Sequence, residues 1–330
     1  MKVTKKTIDA LNLELTLEIA AEDYAPIEKK KFAEHKRNAE FKGFRKGMAP
    51  ASLIQRVYGE QCTADAVNEV LSEQLDKFIR ENDLHILGEP LASEKQPEID
   101  WKNSTDYTFI FDLGLSPEVN VETSKDDTVN KYSITIDAKE QEEMAANMKK
   151  YYEEKKEEKS DEDIEKEVKE RLQANYKQEA EWRLSKDIRD FYVEKAGVEL
   201  PEEFLKRWLF VANGGKVSKE DIEKEFAGFV ADFKWQLVRG AFMKKYDFKI
   251  GDDELKEAAR AYITYQYAMY GLPNVPEEMI DEAMKNVMSD NKQLDRIIEQ
   301  VEDQKVIGKL REEVTIKSKR ISAAKFRELK

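Results

Sequence analysis

The sequence predicts an α+β protein: a small α+β domain at residues 1–116, an extended linker at 117–160, and an all-helical domain at 161–330. Three observations predict it. Leu11, Leu13, Leu15, Leu17 and Ile19 alternate with Asn12, Glu14, Thr16 and Glu18, while Tyr107, Phe109, Phe111 and Leu113 alternate with Thr108, Ile110 and Asp112. That two-residue period is a strand with one buried face. From Ile164 onward, Val168, Leu172, Tyr176, Ala180, Leu184 and Ile188 recur every four residues, the apolar stripe of one long helix. Between these regimes, residues 153–159 (Glu-Glu-Lys-Lys-Glu-Glu-Lys) carry only charge, the composition of a solvated helix face or a flexible linker.

The elements follow in order. Residues 2–20 read as two strands broken near Asp9-Ala10. A helix starts near Glu22-Asp23 and runs to about Glu40, acidic at its start and cationic in its body as the macrodipole favours. Beyond a loop at 41–50, residues 51–58 read as a short helix starting just after Pro50. A longer helix runs from Gln61 to about Arg80, with Ala66, Val70, Leu71, Leu75, Phe78 and Ile79 on one stripe. Pro117-Glu118-Val119 closes the domain. Residues 132–136 are a short strand-like piece, and a helix follows from Ala138 to about Tyr152.

The long helix from Asp161 ends at Gly197, and Pro201 sits where a first helical residue belongs. That segment carries Phe204, Leu205, Trp208, Leu209 and Val211 and stops at Gly214-Gly215. Ser218-Lys219-Glu220-Asp221 has the form of a capping box ahead of a helix bearing Ile222, Phe226, Phe229, Val230, Phe233, Leu237 and Phe242. Helices at about 252–270, 276–288 and 291–312 are separated by Gly271-Leu272-Pro273 and Ser289-Asp290-Asn291. Residues 314–330, basic and weakly apolar, are expected to pack back along the linker.

Composition narrows the function classes. The chain is 40% apolar and 38% charged, with a formal net charge of −13. It has no apolar run of the 18 or more residues that a membrane span needs. A single cysteine, Cys62, leaves no internal disulfide and suits a reducing compartment, so a cytoplasmic location is expected. With two histidines, His35 and His85, no Cys/His spacing suggests a metal site, and no glycine-rich nucleotide cradle is visible. No carboxylate pair stands out among 69 acidic residues, so no catalytic residue, metal or cofactor is assigned.

One stretch concentrates unusual chemistry: Gly43-Phe44-Arg45-Lys46-Gly47-Met48-Ala49-Pro50. Two glycines and a proline forbid a continuous helix or strand. Lys29, Lys30, Lys31, Lys36, Arg37, Lys42, Arg45 and Lys46 face only Glu34 and Glu40, so the loop is a positive tip on an acidic chain. Such a tip suits docking onto an anionic surface. From composition alone it reads equally as a solvated turn between helices.

The pattern Gly-Phe-Arg-Lys-Gly-x-x-Pro at 43–50 resembles the ribosome-binding signature of the trigger factor family. The triplet Phe44-Arg45-Lys46 is intact, and Tyr58-Gly59 follows at the family's usual distance. Met48 stands where the family usually carries a second lysine. The resemblance extends over about the first 120 residues and most of the chain from about 160 onward. It implies an ATP-independent chaperone, cytoplasmic and partly ribosome-associated. Its partners would be the ribosome near the exit tunnel (ribosomal protein and RNA) and unfolded nascent polypeptides, with no membrane and with pairing of two copies off the ribosome left open. Gly43, Phe44, Arg45, Lys46, Gly47 and Pro50 would be the ribosome-binding residues.

The resemblance also implies a helical domain with arm-like extensions, and a proline isomerase domain like the FK506-binding fold between the two matched parts. Nothing between them has the glycine-rich, aromatic β-sheet character that domain needs, so no isomerase activity is expected. Two alternatives stay open: a holdase or assembly scaffold acting off the ribosome, and the family's peptidyl-prolyl isomerase.

A second feature bears on clients. Tyr262, Tyr265, Tyr267, Met269 and Tyr270 crowd one helix, and Met279, Met284 and Met288 the next. Tyrosine gives amphipathic contact area and methionine adapts its shape, which suits promiscuous binding of unfolded chains. The same residues also read as ordinary packing between two helices.

Overall fold

The computed structural model describes residues 1–272 and 274–329. Pro273, placed by sequence in the separator after Gly271, lies outside the described residues. The chain divides into two compact units, Met1–Glu118 with Glu199–Val230, and Val119–Val198 with Ala231–Lys330. This differs from a division at 116 and 160 joined by a linker, and the packing explains why.

In the first unit, β1 (Lys2–Thr7), β2 (Asn12–Ile19), β3 (Ile86–Ala92) and β4 (Tyr107–Leu115) form an antiparallel sheet in the order β1-β2-β4-β3. Helices α1 (Ala21–Asn38) and α2 (Ala51–Glu81) pair with each other. Leu13, Leu15, Leu17 and Ile19 of β2, Tyr107, Phe109 and Leu113 of β4, and Ala66, Val67, Val70 and Leu71 of α2 make the core. Full burial of each leucine or isoleucine stabilises by roughly 1.5–3 kcal/mol, which pins the register.

Two elements depart from the sequence reading. The short and long helices read on either side of Gly59 are one continuous α2. A helical glycine costs about 1 kcal/mol, and here Thr63 Oγ1 donates to the Gly59 carbonyl at 3.0 Å while Ile54, Gly59 and Cys62 are buried around it. Strand β3 has no counterpart in the sequence reading; it contains Gly88 and Pro90, and its pairing with β4 is irregular between Leu87 and Leu91, which accommodates them.

The opposite face of the sheet explains why Glu199–Val230 belongs to this unit. Helix α5 (Glu202–Ala212) seats Phe204 and Trp208 against two glycines. A methyl group at position 114 would lie 2.4 Å from Phe204 Cδ1, and one at position 88 would lie 2.5 Å from Trp208 Nε1. Arg207 donates to Asp112 at 2.7 Å and to the Ala92 carbonyl at 3.1 Å, locking α5 over β3 and β4. Helix α6 (Lys219–Lys245), whose entry is capped by Ser218 Oγ accepting from the Asp221 amide at 3.1 Å, starts here and ends in the second unit.

In the second unit, helix α3 (Ala138–Lys155) folds back on α4 (Asp161–Ala196) as a hairpin around Met148, Tyr152, Ile164, Val168 and Leu172. Asp137 and Ser160 cap the two starts, and Gly197 ends α4 with a φ of +57°. Helices α7 (Asp252–Met269), α8 (Glu277–Ser289) and α9 (Asn291–Glu313) pack around Ala259, Ile263, Ile280, Val287, Ile297 and Val301.

Residues 117–160 are therefore not an extended linker. Strand β5 (Thr128–Thr135) packs on α4 and pairs in parallel with β6 (Thr315–Ser322), from Thr128 opposite Thr315 to Thr135 opposite Ser322; the short α10 (Ala323–Arg327) follows. The tail, expected to pack back along this stretch, thus returns with residues 315–322 along 128–135. Asp127, at the head of β5, accepts from Lys195 at 2.7 Å and from the Tyr192 hydroxyl at 3.0 Å. Burial pushes its carboxyl up, but the bonds from Lys195, the Ser124 amide and Tyr192 outweigh it and hold it below the ordinary range. No described helix is long and apolar enough to cross a membrane.

Candidate functional site

The 41–50 loop joins α1 to α2 in the first unit, and its base is an aromatic clasp. The Tyr58 ring stacks on His35 with centroids 4.7 Å apart and meets Phe41 edge-on at 6.2 Å. Above the clasp the chain makes two successive turns. The Phe44 amide donates to the Phe41 carbonyl at 3.0 Å, and the Met48 amide to the Arg45 carbonyl at 2.8 Å. The third residue of each turn is a glycine at positive φ, Gly43 at +93° and Gly47 at +79°. Only glycine adopts that backbone without strain, so both positions are demanded by the turns. Ala49 is buried, and Pro50 precedes α2, its carbonyl accepting from the Leu53 amide at 3.0 Å.

The turns hold the predicted residues outward. Phe44 is 45% exposed and Met48 70%, with Arg45, Lys46 and Lys42 exposed around them. Of the eight cations between 29 and 46, Lys31 is neutralised by Glu69 at 2.7 Å, and that bond raises its pKa. Lys46 stands 3.8 Å from Glu40, a loose, exposed pair worth little. Among the described residues, Lys29, Lys30, Lys36, Arg37, Lys42 and Arg45 form no ion pair. The family resemblance marked Met48 only as a missing lysine; its exposure as an apolar surface beside the cations is added by the structure.

The tyrosine–methionine set in the second unit separates into two groups. Tyr262, Tyr267, Met284 and Met288 pack against the core of α7, α8 and α9. Tyr265, Met269, Tyr270 and Met279 are exposed, at 65%, 71%, 80% and 47%. Leu272, read as part of a separator, is exposed with them. These five residues cluster in sequence at the end of α7, the following turn and the start of α8, so the exposed members mark a helix tip rather than a continuous stripe.

Residues 1–148 match the family model of the bacterial trigger factor protein, and residues 180–330 that of the probable trigger factor C-terminal domain. The chain belongs to the trigger factor family. The trigger factor of Citrifermentans bemidjiense is 30% identical over 137 residues, 42% of this chain and 31% of that protein. That of Acetivibrio thermocellus is 27% identical over 243 residues, 73% of this chain and 48% of that protein. The chain thus spans between about a third and a half of the length of these two curated relatives. A solved trigger factor chaperone, described as recognising substrates promiscuously in folding and assembly activities, aligns with a TM-score of 0.57 over 95% of this chain and 100% of its own. At 13% identity that likeness concerns the fold.

The two family matches leave residues 149–179 between them, and these residues form the tip of the α3–α4 hairpin. The family's isomerase domain is not in this chain.

Proposed function

We propose that this chain is an ATP-independent chaperone that docks on the ribosome near the exit tunnel and holds unfolded nascent chains on exposed apolar surface. The observation that carries the reading is the loop tip, with Phe44, Arg45 and Lys46 exposed on two glycine turns above the Tyr58 clasp. Phe44 supplies apolar contact, while Arg45 and Lys46 pair with RNA phosphate or with acidic side chains of ribosomal protein. The tip of α7 and α8 holds clients: large, adaptable side chains make many weak contacts that delay collapse and aggregation. The protein works in the cytoplasm, partly on ribosomes. It has no peptidyl-prolyl isomerase activity, in keeping with a helical hairpin at 149–179, and a peptide isomerisation assay should read the uncatalysed rate.

The test is co-sedimentation with bacterial ribosomes, comparing the intact chain with Phe44→Ala/Arg45→Ala/Lys46→Ala. Losing a central aromatic and two paired cations should weaken binding by at least about 30-fold, the effect of roughly 2 kcal/mol. Failure of the intact chain to bind overturns the docking role.

The exposed Met48, where the family usually carries a lysine, favours a second reading: a holdase or assembly scaffold acting off the ribosome. Aggregation suppression in free solution, with no ribosome binding by either the intact chain or Met48→Lys, would establish it. Pairing of two copies off the ribosome would appear as a concentration-dependent mass in sedimentation velocity.

A further inference from the structure

Among the described residues, strand β6 has one neighbour. It pairs with β5 in a two-stranded sheet, and all but one of its eight residues are exposed. Its orientation follows from two hydrogen bonds: the Thr315 amide donates to the Asp127 carbonyl at 2.8 Å, and the Ile321 carbonyl accepts from Thr135 Oγ1 at 3.2 Å. The amide and carbonyl of one strand residue point to the same side, and successive residues alternate. Thr315, Lys317, Lys319 and Ile321 therefore turn their main chain toward β5, while Ile316, Ser318 and Arg320 turn theirs to the open edge. Among the described residues, the main-chain groups of those three enter no turn or loop bond. Spaced by two residues, they span about 13 Å, room for a five-residue strand.

The side chains of this edge select a partner. Lys317, Lys319 and Arg320 form no ion pair among the described residues, whereas neighbouring cations do: Arg311 binds Glu181, and Arg327 binds Glu140 at 2.7 Å. A basic edge left uncompensated on a chain of net charge −13 stands out. A second copy pairing through β6 would set these cations against each other, and like charges across a strand pair are destabilising. An extended segment rich in Asp and Glu meets both features, with main-chain groups for the three open rungs and carboxylates for the cations.

We propose that the open edge of β6 is a strand-addition site for acidic, extended polypeptide segments. It deepens the client-holding reading and rests on it: apolar stretches of a client go to the helix tip, acidic extended stretches to β6.

The experiment uses the full chain and a ten-residue peptide alternating glutamate and valine. Amide exchange should slow by about tenfold or more at Ile316, Ser318 and Arg320 when the peptide binds, and change little at Lys317 and Lys319, already held by β5. Ser318→Pro removes an outward amide without removing a ladder bond, and should weaken the peptide about tenfold while thermal unfolding stays near that of the parent. Lys317→Gln/Lys319→Gln/Arg320→Gln should weaken it further and flatten its salt dependence.

Peptide binding unchanged by Ser318→Pro, or no added protection at the three amides, overturns the proposal. If Ser318→Pro fails to fold, the exchange pattern of the parent chain decides. Oligouridylate that outcompetes the peptide and is indifferent to Ser318→Pro would mark an RNA site and also overturn it. Aggregation suppression of an apolar client is measured alongside: its absence sinks the client reading alone, because the exchange pattern reports on the edge independently.

Discussion

The α1–α2 loop and the α7–α8 tip both put large apolar side chains into solvent, but they are built in opposite ways. In the loop, two glycine turns, a buried Ala49 and the Tyr58 clasp hold one aromatic ring among exposed cations. At the helix tip, Tyr265, Met269, Tyr270, Leu272 and Met279 stand exposed at the end of α7, just after it and at the start of α8. A preset charged tip suits one fixed partner, because orientation and charge both discriminate. A cluster of adaptable side chains suits many partners, because little is preset.

Salt breaks this comparison most sharply. Raising it from about 50 to 200 mM should weaken ribosome binding on the order of 100-fold, the effect of releasing counterions at about four phosphates, and leave client holding within about twofold. Sedimentation and aggregation assays on one preparation check both. Equal salt sensitivity would mean that the two regions do not divide the work.

Acid acts on the unit that carries the helix tip. Asp127 is held below the ordinary aspartate range, so its stabilisation is fully present above that range and is lost as the pH falls through its folded value. Asp127→Asn should cost that unit about 2–3 kcal/mol at neutral pH by leaving Lys195 and Tyr192 with a weaker acceptor, and should flatten the acid limb of its unfolding profile. Denaturant melts at pH 4 and pH 7 read both effects.

Replacing Tyr265, Met269, Leu272 and Met279 together by serine should weaken client holding about tenfold while ribosome binding is unchanged. Because these side chains are exposed, the unfolding midpoint should barely move. The smallest effect belongs to the clasp. Tyr58→Leu removes aromatic contacts worth about 1 kcal/mol beneath the loop and should weaken ribosome binding about threefold to fivefold through its base alone. No change there would show that the glycine turns hold the tip unaided.

By itself, the sequence determined what depends on neighbours along the chain. The alternation of β2 and β4, the four-residue stripe of α4, its Gly197 end and the glycine turns of the loop are all local, so periodicity and backbone freedom reveal them. The Phe44-Arg45-Lys46 tip was legible for the same reason.

Only the tertiary structure decided which surfaces are covered. Phe204 and Trp208 read as an apolar helix face, but that the far side of the β3–β4 sheet receives them depends on Gly88 and Gly114, more than 80 residues away in sequence. The tyrosine–methionine set carried no sign of which members pack inward, since that follows from how α7, α8 and α9 meet. Strand β6 has no alternation and only two apolar residues, Ile316 and Ile321, and forms because β5 offers it a ladder. Burial and strand pairing are properties of distant segments brought together, and no local pattern records them.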